Sequence, residues 1–318
     1  DLMAKLVGVF ATLIYTLMTS IATMNSMVAG PIGDLAGVAC FHPNTMVQLS
    51  NDYYKQISNI KLGEELLEGG KVISVMKFKN SVPLYKYRDI LVSGDHLVLV
   101  ENKWKRVEEL EEISLAEDTA IIHCLSSQRN KIVILNGQSN KQTFSDYIET
   151  SNYVLNSYIK ECVLKSLNGH FYQQDNMVSK FQKQFEEAAS NNFYVFGFHE
   201  NTVIKLQDGG CKKISELQIG DTTNNHEQIT GTIHHLNMDK HLYNLDGILV
   251  SGEQIVYHQN SYKLVKNILG LEIIEDHEYL YQVSTNTGSI KIGKNIFRDH
   301  HESKDKNLND YIHNLVIE

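Results

Sequence analysis

Phe41-His42-Pro43-Asn44-Thr45 returns later in the chain as Phe198-His199-Glu200-Asn201-Thr202, at an offset of 198 − 41 = 157 residues. The match continues outward. Ile57-Ser58-Asn59-Ile60-Lys61-Leu62-Gly63-Glu64 returns as Ile214-Ser215-Glu216-Leu217-Gln218-Ile219-Gly220-Asp221. Ile90-Leu91-Val92-Ser93-Gly94-Asp95-His96 returns as Ile248-Leu249-Val250-Ser251-Gly252-Glu253-Gln254, and Phe144-Ser145-Asp146 as Phe297-Arg298-Asp299. Collinear matches spread over more than a hundred residues mean an internal duplication, which has to be recognised before any element is assigned.

Each copy reads as β. Thr45–Leu49, Val72–Phe78, Ile90–Val92 and Leu97–Val100 are short runs rich in branched residues, punctuated by Gly63, Gly69-Gly70 and Gly94. The second copy repeats them at Thr202–Leu206, Ile229–Ile233, Ile248–Val250 and Ile255–Tyr257. Many short strands at even spacing predict a compact all-β unit rather than a βαβ sheet. Residues 151–192 break the pattern. Val154, Tyr158, Cys162 and Leu164 suggest one helix, and Met177, Phe181, Phe185 and Ala189 a second, so a helical linker is expected between the copies.

Composition bounds the function. Of 318 residues, 42% are hydrophobic and 21% charged, a globular balance, and the net charge is −9. With no basic block, nucleic acid is not an expected partner. Cys40, Cys124, Cys162 and Cys211 fit neither a zinc knuckle nor a CxxC redox motif. So few cysteines do not suggest a disulfide-stapled secreted domain, and a reducing compartment is the simpler expectation. The histidines His234-His235, His241, His258 and His300-His301 have no metal-ligand spacing; no metal and no cofactor are expected.

Residues 6–33 carry no charge and are flanked by Lys5 and Asp34. As a helix, Leu6–Met24 would be roughly 28 Å long, near a bilayer core. Thr12, Thr16, Thr19, Thr23 and Ser26 form one stripe that another helix could cover. The segment reads as a membrane anchor, as a helix buried on a partner through residues 6–29, or as a secretory signal.

The stretch Ala39-Cys40-Phe41-His42-Pro43-Asn44-Thr45, with Leu62-Gly63 and Val92-Ser93-Gly94-Asp95-His96 after it, resembles the Hint family of hedgehog autoprocessing domains and inteins. A closer resemblance is to the F-H-P-N-T proteins of large DNA viruses of algae and protists, which also place a hydrophobic segment and a Gly30-Pro31-Ile32-Gly33-like stretch before the cysteine. The resemblance implies a mainly β fold of two tandem Hint-like modules. Residues 1–39 would be the hydrophobic helix and its linker, 40–150 the first module, 151–197 the helical linker, 198–305 a degenerate second module and 306–318 a tail. It also implies an N–S acyl shift. Cys40 would be the nucleophile attacking the Ala39 carbonyl and His96 the acid for the departing amine. Ser93 stands where the family has threonine, and Thr45 matches its early threonine, while Glu64 replaces the expected aspartate. The plain alternatives are that Cys40 is a small buried residue and His96 a satisfied strand-end imidazole. In copy two, Gly197 and Gln254 occupy the same places and can do no such chemistry. His313-Asn314 is similar to the end of an intein, but Leu315 is no nucleophile, and the chain runs unbroken through Ala39–Cys40. The expectation is therefore a membrane-associated structural protein of a virion, with other structural proteins as partners. Self-cleavage after Ala39, or an accessory role in a cellular membrane complex, is the alternative.

Overall fold

Gly70–Lys79 is the longest strand (β1), and its interior residues Val72, Ile73, Met76 and Phe78 are buried. Branched and aromatic side chains suit such a pleated, covered position. On one side it pairs with Ile121–Ser127 (β2), and on the other with Ile229–Leu236 (β3), which in turn pairs with Tyr279–Thr285 (β4). The order is β2-β1-β3-β4, antiparallel throughout. One sheet therefore runs through both copies, with the equivalent strands β1 and β3 at its centre. The register makes the relation two-fold. Met76 faces its own counterpart Ile233, while Phe78 faces Gly231 and Ser74 faces His235.

The structure is a computed structural model. It describes residues 40–116, 119–136, 140–147, 162, 165, 168, 196–275 and 277–300. All of them belong to one unit, Ala36–Glu318. The chain is mainly β, and among the described residues no helix is long and apolar enough to cross a membrane. Residues 6–24, expected as a membrane or partner helix, lie outside the described residues. So does most of the expected helical linker, of which Cys162 and Lys165 are helical and Asn168 is a turn residue.

The predicted strands appear within a few residues of their expected bounds, at Met46–Gln48, Ile90–Ser93 and Leu97–Val100 in copy one, and Val203–Lys205, Ile248–Val250 and Ile255–His258 in copy two. Each copy has its own core. In the first, Phe41 meets Phe144 edge to face at 5.2 Å; in the second, Phe198 meets Phe297 in the same way at 5.0 Å. Even the hairpin turns match. Glu101-Asn102 and Gln259-Asn260 both take left-handed φ at two successive residues, as a two-residue hairpin loop requires.

Candidate functional site

Phe41 makes a one-residue bridge to Val92 on one side and to His123 of β2 on the other. Its N–H donates to the His123 carbonyl at 2.9 Å, and His123 N–H returns the bond at 2.9 Å. This threads residues 40–42 between two strands and fixes Cys40. The Cys40 N–H, which belongs to the Ala39–Cys40 peptide, donates to Ser93 Oγ at 2.9 Å, and Ser93 N–H donates to the Cys40 carbonyl at 2.9 Å. Cys40, Ser93 and His96 are each no more than 1% exposed, so no water competes for these groups.

His96 closes the turn that begins at Ser93, its N–H donating to the Ser93 carbonyl at 3.2 Å. Gly94 in that turn has no room for a side chain, since a Cβ would lie 2.8 Å from Tyr85 Cε2 and from Glu108 Oε2. The imidazole packs on Phe41 at 4.3 Å and edge-on to Phe144 at 5.6 Å. Its Nε2 lies 3.0 Å from the Ser145 carbonyl, which accepts only, so Nε2 carries the proton. Nδ1 is buried with no hydrogen-bond partner among the described residues. Burial drives the pKa down to about 3. The Ser145 carbonyl opposes that shift, and the nearby Arg106 guanidinium adds to it. At neutral pH the ring is uncharged and is not a ready proton donor.

Cys40 is bonded through sulfur to Cys124 of β2. Both partners are buried, and a disulfide sulfur is not a thiolate nucleophile. Sequence reasoning did not find Cys124. It is 84 residues from Cys40 and meets it only through strand register. The structure thus joins Cys40 to Ser93 by a hydrogen bond and to His96 through the ring of Phe41. Thr45 is elsewhere. Its N–H donates to the His42 carbonyl and its carbonyl accepts from Ile57 N–H, bonds that build a turn. Among the described residues none links Thr45 to Cys40, Ser93 or His96. Glu64 performs a turn-holding task, accepting from Lys61 N–H at 2.9 Å and pairing with Lys55, as Asp221 does with Gln218 N–H and Lys212.

Copy two keeps the scaffold and replaces the chemistry. Gly197 N–H donates to Ser251 Oγ at 3.0 Å, as Cys40 does to Ser93. Gln254 Nε2 donates to the Arg298 carbonyl at 2.7 Å, in the place of the His96–Ser145 bond. Gln282, the counterpart of Cys124, donates to Gln254 Oε1 at 2.7 Å. A Cβ at Gly197 would lie 2.6 Å from the Tyr281 carbonyl, so this position is closed to any side chain. Among the described residues no group of three His, Cys, Asp or Glu side chains could hold a metal ion.

No protein-family model matches the chain, and no curated protein matches it. Among solved structures, a splice-inactive variant of the AceL NrdHF class 3 split intein overlaps 34% of this chain and 97% of its own, at 11% identity and a TM-score of 0.26. A variant of the Ssp DnaB mini-intein overlaps 36% of this chain and 98% of its own, at 15% identity and a TM-score of 0.23. Overlaps this loose fix neither the fold family nor the chemistry.

Proposed function

We propose that the chain is a structural protein built on two Hint-like modules, membrane-associated through residues 6–29 and serving in the virion of a large DNA virus. The observation that carries the structural half is the Cys40 site. The sulfur is tied to Cys124 and the imidazole is held neutral, while the second copy retains the same backbone framework with glycine and glutamine in place of reactive groups. A framework maintained without its chemistry serves binding and shape. The membrane and virion placement is supported by the uncharged stretch 6–33 and by the F-H-P-N-T resemblance.

A second reading has one observation in its favour. Ser93 Oγ accepts from the N–H of the Ala39–Cys40 peptide, where a self-cleaving site would need a contact. Its chemistry would run in three stages. An added thiol reduces the Cys40–Cys124 bond, two thiols giving one external disulfide. Cys40 sulfur then attacks the Ala39 carbonyl, a C–S bond replaces the C–N bond, and the Cys40 nitrogen becomes a free amine after gaining a proton. A further added thiol attacks that thioester, taking the Ala39 acyl group on its own sulfur and returning the Cys40 thiol, which parts the chain.

Intact mass of the full chain, alkylated without reductant and then after incubation with a thiol, separates the readings. The expected result is an uncleaved chain in both samples, with Cys40 and Cys124 alkylated only after reduction. Conversion of most of the chain to a fragment starting at Cys40, absent in Cys40→Ala, would replace the structural reading with autoprocessing. Co-fractionation with particles or membranes, lost on deleting residues 1–29, tests the placement.

A further inference from the structure

One face of the central sheet carries a groove across the β1–β3 seam that relates the copies, and Cys124 also borders it. Side chains alternate along a strand, so Val75, Lys77, Thr232 and His234 share this face with His123 and Tyr281, their cross-strand neighbours. Two short 3-10 turns, Ile57–Asn59 and Ile214–Glu216, wall the groove from opposite sides. Its volume is about 330 Å³, within the range of sites that hold small organic molecules.

The walls have kept their symmetry, with Ile57 against Ile214, Ser58 against Ser215 and Ile60 against Leu217. The floor has lost it. Lys77 has His234 as its counterpart, His123 has Tyr281 and Val75 has Thr232. The duplication therefore leaves one apolar frame over a polarised floor. At one end stands Lys77, an exposed ammonium that makes no ion pair among the described residues. At the other end the exposed Glu200 carboxylate acts on His234 and Tyr281. His234 stacks on Tyr281 at 4.3 Å, and its Nε2 is buried with no hydrogen-bond partner among the described residues.

We propose that this groove binds a small organic carboxylate, its anionic head on Lys77 and His123 and its apolar body between the two 3-10 turns. The floor offers donors where the head would lie. Burial first, then Lys77 and His42, push the His123 pKa down to about 4, so at neutral pH the ring is an uncharged donor and leaves Lys77 the cation. An acceptor-only head complements that set, and a charged donor head does not, because it would face Lys77.

The test is a titration of the full chain with phenylacetate, followed by NMR or calorimetry, beside phenethylamine as the cation of matching shape. Saturable one-to-one binding of phenylacetate is expected, with the amine weaker by about tenfold or more. Lys77→Met, a substitution at an exposed position that leaves the fold intact, should weaken phenylacetate about tenfold, while Lys291→Met, a cation removed elsewhere, should change nothing. Ser58→Trp, filling the groove from its wall, should abolish binding, with circular dichroism reporting that the sheet persists. Equal affinity for the amine, an unchanged Lys77→Met protein, the same loss in Lys291→Met, or no phenylacetate binding would each overturn the proposal.

Discussion

Position 96 and its counterpart 254 solve one problem with two side chains. Each must donate from a buried nitrogen to a carbonyl of the strand behind it, His96 to Ser145 and Gln254 to Arg298. The imidazole can donate this bond charged or neutral, but burial disfavours the charged form, and its pKa in the fold is about 3 against an ordinary 6.5. His235, wholly buried beside Ser74, is likewise held at about 3 by burial and the adjacent His234. Between those values the unfolded chain binds protons that the folded chain does not, so their contribution is complete above pH 6.5 and falls as the pH drops toward 3. Each such group removes on the order of 1.4 kcal/mol per pH unit in that window. His96→Gln should therefore fold, because glutamine already serves in copy two, and urea unfolding from pH 7 to pH 4 should show a slope lower by one proton. A slope identical to that of the unsubstituted chain would mean that His96 is not held neutral. The setting of Ser93 was legible in the sequence because Val92-Ser93-Gly94 returns as Val250-Ser251-Gly252, whereas Cys40 and His96, which copy two lacks, were singled out by the Hint resemblance. Cys124 was not, since nothing near it in sequence announces a partner that only register delivers.

The centre of the long sheet is where two copies of one strand had to stop being identical. An antiparallel pair of equivalent strands places residue 74 of one against the counterpart of 78 in the other, and the reverse. Here one such pair is Ser74 with His235, hydroxyl to Nδ1 at 2.5 Å, and the other is Phe78 with Gly231. The second pair leaves no room, since a Cβ at Gly231 would lie 2.4 Å from Phe78 Cδ1. Gly231→Ser alone should cost about 1–3 kcal/mol through overpacking. Phe78→His alone should also destabilise, by emptying the buried ring's place beside the half-buried Tyr147 and His300. Together they rebuild the serine–histidine pair of the other half, so a double-mutant cycle should show favourable coupling of about 0.5–3 kcal/mol. Strict additivity would sink the claim that the two pairs are interchangeable. The strands themselves were readable, because branched residues alternate between glycine-marked turns. The pairing of β1 with β3 was not, because each strand's pattern fits any buried neighbour equally well.

At the scale of the whole chain, duplication predicts two modules, and among the described residues each copy has a large hydrophobic cluster of its own. Two clusters invite two unfolding steps. The sheet argues for one. Five residues of β3, Gly231 to His235, lie opposite β1, and the buried Phe78 and His235 lie within that seam. Unfolding either copy alone would strip the other of its central strand partner and leave those side chains and a row of backbone groups bare. The cost falls on both copies, so they should melt together. The Cys40–Cys124 bond supplies a one-sided perturbation to test this, because it lies wholly in copy one. Reduction restores freedom to a long loop of the unfolded chain and should lower stability by about 2–4 kcal/mol. The single tryptophan, Trp104, reports copy one, while far-ultraviolet circular dichroism reports the strands of both. In denaturant titrations with and without a thiol reductant, the two signals should give coincident curves that shift together. A reduced chain in which Trp104 unfolds first, leaving about half of the strand signal to a later transition, would show instead that the seam at Met76–Ile233 is too weak to couple the copies.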